Sequence, residues 1–168
     1  MHAKGIVNGL LGSCLSCLHA KRAESIRAAV WSALDGGRLS LSLLARSVSS
    51  ECAMRHRIKR IDRLLGNAAV YGARMSIYQA VAAHWLAGIR QLLIVVDWSG
   101  VTPDQQWHLL RASVAVDGRS VTLYEEIHPQ RKYGDRGIHR RFLTKLAKLL
   151  PQGCMPIIMT DAGFHSTW

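Results

Sequence analysis

The segment Gln91-Leu-Leu-Ile-Val-Val-Asp97 constrains the fold of this 168-residue chain more than any other. It is apolar on both faces, rich in β-branched side chains and too short for a stable helix, so it reads as a buried central strand. A second short apolar run, Met155–Thr160, ends at Asp161. Between the two, Leu110–Val116 and Val121–Tyr124 flank Asp117-Gly118, a dipeptide suited to a tight hairpin turn. Gly137–Leu150 then has helical spacing, with Ile138, Phe142, Leu146 and Leu149/Leu150 on one face and Arg140, Arg141, Lys145 and Lys148 on the other; Asp135 can cap it and Pro151 closes it. The expected order is β-β-β-α-β. A helix between two strands makes a crossover, so Met155–Thr160 should run parallel to a strand already present, and Leu92–Val96 is the neighbour of matching character. Asp97 and Asp161 would then leave the C-terminal ends of adjacent strands about 4.8 Å apart, where open α/β sheets place their ligands.

Two carboxylates so placed repel unless a cation lies between them. Mg²⁺ fits, being a hard ion that takes carboxylate oxygens together with substrate phosphates, and a metal held there can promote phosphodiester chemistry. An Asp that ends a strand is also a common turn residue, so either one alone carries little.

The rest of the chain differs in composition. Of the formal charge of +11, +9 falls in residues 1–90 and +2 in residues 91–168. The Ala/Leu/Arg-rich first part gives way to a Val/Ile/Thr-rich second part near Gly88, which sets expected domains at 1–89 and 90–168. Residues 21–34 carry Ile26, Val30 and Leu34 at helical spacing and end at Gly36-Gly37; a short helix follows at Leu41–Val48, with Ser49-Ser50 as turn and cap. Met54, Ile58, Ile61 and Leu65 form the apolar line of a third helix closed by Gly66-Asn67, and Arg55, Arg57, Lys59, Arg60 and Arg63 cover the rest of it. Two helices joined by a turn, the second strongly basic, resemble a helix-turn-helix whose cations neutralise DNA phosphates and release counterions. A solvated basic helix in a small bundle has the same pattern. A further helix, Arg74–Leu86, has Ile77, Val81 and Trp85 as its expected core stripe.

The longest apolar run, Leu92–Val96, is far below the roughly 20 residues that span a bilayer. Residues 4–20 have a leucine-rich stretch after Lys4, but Asn8, Gly9 and Gly12 break it as a signal sequence. Cys14-Leu-Ser-Cys17 supplies half of a zinc spacing with no second pair at finger-like distance, and Cys52 and Cys154 stand apart, so the expectation is reduced, buried thiols in a cytoplasmic protein with no membrane. Trp98, Trp107 and Trp168 are expected to pack rather than stack on bases, and His108, His128, His139 and His165 to lie at the surface or at hairpin ends.

Several segments together resemble one family. Lys59-Arg-Ile-Asp-Arg-Leu-Leu-Gly-Asn67, Ile94-Val-Val-Asp-Trp-Ser99, Leu110-Arg-Ala-Ser-Val-Ala115, Gly118-Arg-Ser-Val-Thr-Leu-Tyr-Glu125 and Thr160-Asp-Ala-Gly-Phe164 are similar, in that order, to bacterial DDE transposases of the insertion-sequence-four type. The resemblance implies an α+β or α/β chain: a helical DNA-binding bundle followed by a ribonuclease-H-like domain. It also implies Mg²⁺ or Mn²⁺, double-stranded transposon ends as partner, and Asp97 and Asp161 as the first two metal-binding acids. The family's third acid belongs to a Tyr-Arg-Glu-Lys signature downstream of the second Asp. Glu125, Glu126 and Asp135 precede Asp161 and do not match it. The expectation is therefore a truncated transposase that binds DNA without cleaving it alone, or a stand-alone binding protein that inhibits transposition. The sheet edge beyond Met155–Thr160 should be exposed and prone to self-association.

Overall fold

A computed structural model describes residues 3–36, 39–48, 50–116, 118–161 and 164. The chain is mixed α and β and divides into two compact units, Met1–Ile77 and Tyr78–Trp168. The division falls inside a helix, before Gly88.

The first unit is helical. Its elements are α1 (Ala3–Cys14), α2 (Ala20–Gly36), α3 (Leu41–Ser47), α4 (Met54–Leu65) and α5 (Ala68–Gly72). Leu44 and Val48 of the α3 segment and Ile61 of α4 are buried together, against Ala29 and Ala33 of α2. The expected line Ile26–Val30–Leu34 is not the core stripe of α2; Leu34 is 59% exposed, and Ala23 and Ser32 are the buried residues. Small residues let the helices approach closely, and the Ser32 hydroxyl donates to the Leu44 carbonyl between α2 and α3. Gly37 and Ser49, expected at helix ends, lie outside the described residues. Ala53 occupies the N-cap of α4 without a side-chain bond, while the Ser50 hydroxyl accepts from the Cys52 amide. Gly66 closes α4, and Asn67 caps α5 by accepting from the Ala69 and Val70 amides. The four cysteines are free; Cys14 is buried, where desolvation raises its thiol pKa, but Cys17 and Cys52 are exposed, which corrects the expectation of four buried thiols.

Helix α6 (Arg74–Trp85) leads into the second unit. Its buried line is Ala82 and, just past its end, Leu86, with Tyr78 one turn earlier packed edge-on against Tyr124 at 5.2 Å. Trp85, expected in the core, is 43% exposed. The stripe is rotated by one residue because the aromatic Tyr78 rather than Ile77 meets the sheet.

Four strands make one sheet of order β3-β2-β1-β4: β1 (Gln91–Gly100), β2 (Trp107–Val116), β3 (Arg119–Pro129) and β4 (Met155–Thr160). Helix α7 (Arg136–Leu149) connects β3 to β4, and β4 runs parallel to β1 in the register Gln91↔Met155 through Val96↔Thr160. The crossover and the neighbour inferred from pattern are thus the observed ones. Asp117 of the expected turn lies outside the described residues; Gly118 beside it has φ +73°, a conformation glycine adopts freely. Asp135 caps α7 by accepting from the Ile138 amide at 2.9 Å. Along α7, Ile138, His139, Phe142, Leu146 and Leu149 are buried, on the face that Ile94, Val96, Trp98, Leu110, Ala112 and Val114 present. A bulge at Ala112/Ser113 leaves Leu123 without a register partner, so the consecutive Leu123 and Tyr124 are both fully buried where strict alternation would expose one.

Strand β4 is an edge. The Met155 amide donates to the Arg90 carbonyl at 2.8 Å, so by alternation the odd-numbered amides face β1 and those of positions 156, 158 and 160 face outward. Pro156 removes one outward donor, the placement proline takes on edge strands.

Candidate functional site

Two constellations carry chemistry, one in each unit. In the helical unit, α2 and α4 border a concavity of about 510 Å³ lined by Lys21, Arg22, Ser25, His56, Lys59, Arg60, Arg63, Leu64 and Asn67. On α4 the spacing of 56, 59/60 and 63 is one helical face, and Asn67, the cap of α5, lies beyond its end. Facing it, Lys21 and Arg22 come from the first turn of α2. Arg60 donates to Glu24 at 3.1 Å, a half-exposed bridge that orients it along the groove. Five cations around one hollow raise the local concentration of polyanions through their summed field.

The five basic residues expected on α4 separate into two groups. Lys59, Arg60 and Arg63 line the groove. Arg55 and Arg57 do not: Arg55 donates to the exposed His56 ring, and Arg57 donates to the carbonyls of Cys52 (2.8 Å), Val48 (3.3 Å) and Arg46 (3.5 Å). Arg57 thereby satisfies the carbonyl end of α3 and the connection to α4. Lys21, Arg22 and His56 were absent from the expected site. Lys21-Arg22 is visible as a basic pair, but only the packing of α2 beside α4 assigns it to this hollow.

In the sheet unit, β1 continues through Trp98 and Ser99 to Gly100, since β2 offers partners as far as Gly100↔His108. Asp97 therefore lies inside the strand and not at its end. It is exposed, and its Oδ1 accepts from the Trp98 amide at 2.8 Å. Asp161 is exposed and directly follows the end of β4, so each acid comes one residue after the Val96↔Thr160 pair, Asp97 within β1 and Asp161 just past β4. Across the sheet the row continues: Asp97 pairs with Arg111, and Arg111 with Glu125, joined by a 3.1 Å salt bridge. Among the described residues no group of three or more His, Cys, Asp or Glu side chains is arranged to hold a metal ion. The donor set of Asp97 and Asp161 still suits Mg²⁺ or Mn²⁺, because such an ion takes one or two carboxylates and completes its shell with water and phosphate oxygens.

Beneath this row, on the covered face, aromatic and histidine rings cluster. Trp98 packs against His128, Tyr133 and His139 at centroid distances of 5.7, 5.3 and 5.9 Å; Tyr133 meets His108 at 4.7 Å. His139, within α7, is buried, contrary to the expectation of a surface or hairpin-end position; His108 is buried too, but at a hairpin end, the start of β2. His108 Nε2 bonds the Gln105 carbonyl at 2.9 Å and the Gln130 side chain, tying the β1–β2 loop to the turn after β3. Trp98 is buried as expected, Trp107 is half exposed, and Trp168 and His165 lie outside the described residues.

Glu126 anchors the same face. Burial opposes its charge, but hydrogen bonds from Lys145 (2.5 Å), Tyr124 (2.5 Å) and His128 (2.9 Å), with the Lys145 charge, hold the carboxyl below its ordinary 4.5. A depressed carboxyl pKa contributes stability that is present above pH 4.5 and is lost as pH falls through the lower, folded value. Glu126→Gln should therefore flatten the acid limb of stability measured by urea unfolding between about pH 3 and 5. Parallel curves for the two proteins would show that Glu126 is not the group responsible.

No helix among the described residues is long and apolar enough to cross a membrane. Comparison with protein-family models, with curated proteins and with solved structures found no match to this chain.

Proposed function

We propose that the chain binds double-stranded DNA along the α2–α4 groove and carries, on its sheet, two acids of a DDE-transposase-type centre for phosphodiester cleavage and strand transfer. The observation that carries the DNA reading is the convergence of Lys21, Arg22, Lys59, Arg60 and Arg63 on one concave surface, with His56 beside them. Cations on rigid helices meet several phosphates at once without a further ordering cost for the backbone. In this reading the unit that holds α3 and α4 acts as a helix-turn-helix-like module, and the unit with β1 parallel to β4 is the ribonuclease-H-like core.

Asp97 and Asp161 would hold Mg²⁺ or Mn²⁺. When bound, such an ion supplies Lewis acidity toward a phosphodiester. Asp97 is held by the rigid interior of β1 and by its bond to the Trp98 amide, and Arg111 beside it adds positive charge toward an incoming phosphate. Because the described residues bring no third ligand to the pair, the second reading is binding without cleavage, which makes the chain a competitor for transposon ends. Supercoiled plasmid incubated with the purified chain and Mg²⁺ should bind yet stay at background nicking. Nicking that disappears in Asp97→Ala would replace this second reading with an active enzyme; failure to bind duplex DNA at low salt would remove both.

A further inference from the structure

One acid stands on β1 and the other just past the end of β4, and their spacing must be held by something other than themselves, since like charges push apart. The structure contains a continuous path between them on the opposite, covered face of the sheet. From the first acid, the Trp98 amide donates to Asp97 Oδ1 at 2.8 Å, and the Trp98 indole Nε1 donates to His139 Nε2 at 2.9 Å. From His139, the imidazole stacks on Phe164 with centroids 4.1 Å apart and planes 22° from parallel. From Phe164, the backbone amide donates to the Asp161 carbonyl at 3.2 Å. His139 is itself fixed by α7, between the buried Ile138 and Phe142, and is 1% exposed.

We propose that His139 is a positioning residue that ties the strand bearing Asp97 to the turn bearing Asp161 and so sets the separation of the two carboxylates for a divalent cation. The inference rests on the acid pair being a metal site. Its physical basis is selectivity. A Phe or Leu at position 139 would fill the same volume without the desolvation cost of a buried imidazole, so the polar ring is useful only for what it bonds. The indole N–H requires an unprotonated acceptor, which makes the ring neutral with its proton on Nδ1. Changes to groups that orient metal ligands from behind typically cost 10–100-fold in metal affinity.

The test is Mn²⁺ binding by the full chain, followed by electron paramagnetic resonance at a temperature where every variant is folded. Trp98→Phe removes the donor and keeps a ring; His139→Phe removes the acceptor and keeps the stack on Phe164; His139→Gln restores an acceptor near the Nε2 position. Asp97→Ala should abolish binding, Trp98→Phe and His139→Phe should each weaken it roughly tenfold, and His139→Gln should recover most of the loss. Leu146→Ala, a core truncation away from this path, should lower the melting temperature without moving the affinity. If Asp97→Ala abolishes binding while Trp98→Phe and His139→Phe bind like the parent, the tether is wrong and the acid pair stands. A loss in Leu146→Ala equal to that in His139→Phe also overturns the tether, since general destabilisation then accounts for it. If Asp97→Ala binds like the parent, the acid pair and the tether fall together. Should His139→Phe not fold, Trp98→Phe decides the question.

Discussion

Duplex DNA affinity of a Lys59→Glu/Arg63→Glu chain is expected to fall by on the order of 3 kcal/mol, roughly 100-fold, in low-salt fluorescence anisotropy. Each reversal deletes one phosphate contact and places a like charge against the backbone. The milder Lys59→Ala/Arg63→Ala pair should lower the slope of log affinity against log salt by about 2, because each contact contributes about 0.9 to it. Arg57→Ala is the discriminating control. Its guanidinium serves the carbonyls of Cys52, Val48 and Arg46, so its removal should cost about 1 kcal/mol of helical-unit stability and leave the salt slope unchanged. An Arg57→Ala slope reduced as much as that of Lys59→Ala would mean that the whole basic surface of α4, and not the groove, meets DNA.

The largest stability effect is expected at Phe142. Its ring is fully buried between α7 and the sheet and lies 5.0 Å from the Tyr124 ring. Phe142→Ala should remove about 3–5 kcal/mol, the lost transfer energy plus the cavity left behind. Against the 5–15 kcal/mol typical of a domain, that brings the sheet unit close to unfolding at 37 °C. Urea unfolding followed by tryptophan fluorescence measures it, since Trp98 reports on this core. A loss below about 1 kcal/mol would mean that α7 does not pack on the sheet as described.

Most of the sheet unit could be read from residues alone. Leu92–Val96 and Met155–Thr160 are short apolar runs that form strands, and the intervening amphipathic helix requires a crossover; the burial expected on both faces is not seen, since Leu93, Met155, Ile157, Ile158 and Met159 are exposed on an open face and an edge strand. The parallel β1–β4 pair and the adjacency of Asp97 and Asp161 follow from those two patterns. The reach of the strands was less legible: β1 extends past Asp97 because His108–Leu110 pair with it, and a residue cannot announce its partner across a turn. The core faces of α2 and α6 were misplaced for a related reason. Ala29 and Ala33 are partly buried against Leu44, Val48 and Ile61, and Ala82 is fully buried, through what packs beside them, a property of the neighbour and not of alanine.

Residue spacing and charge are enough to separate a basic helical part from a near-neutral sheet part and to give the β-β-β-α-β order with its two acids. Those are properties of local spacing and charge, which survive without knowledge of any contact. Packing sets which cations share a groove, that Arg57 serves its own backbone, and that His139 is buried between Trp98 and Phe164. Each of these depends on which surfaces meet when the helices and strands pack, and residues as far apart as 22 and 63, or 98, 139 and 164, become neighbours only then.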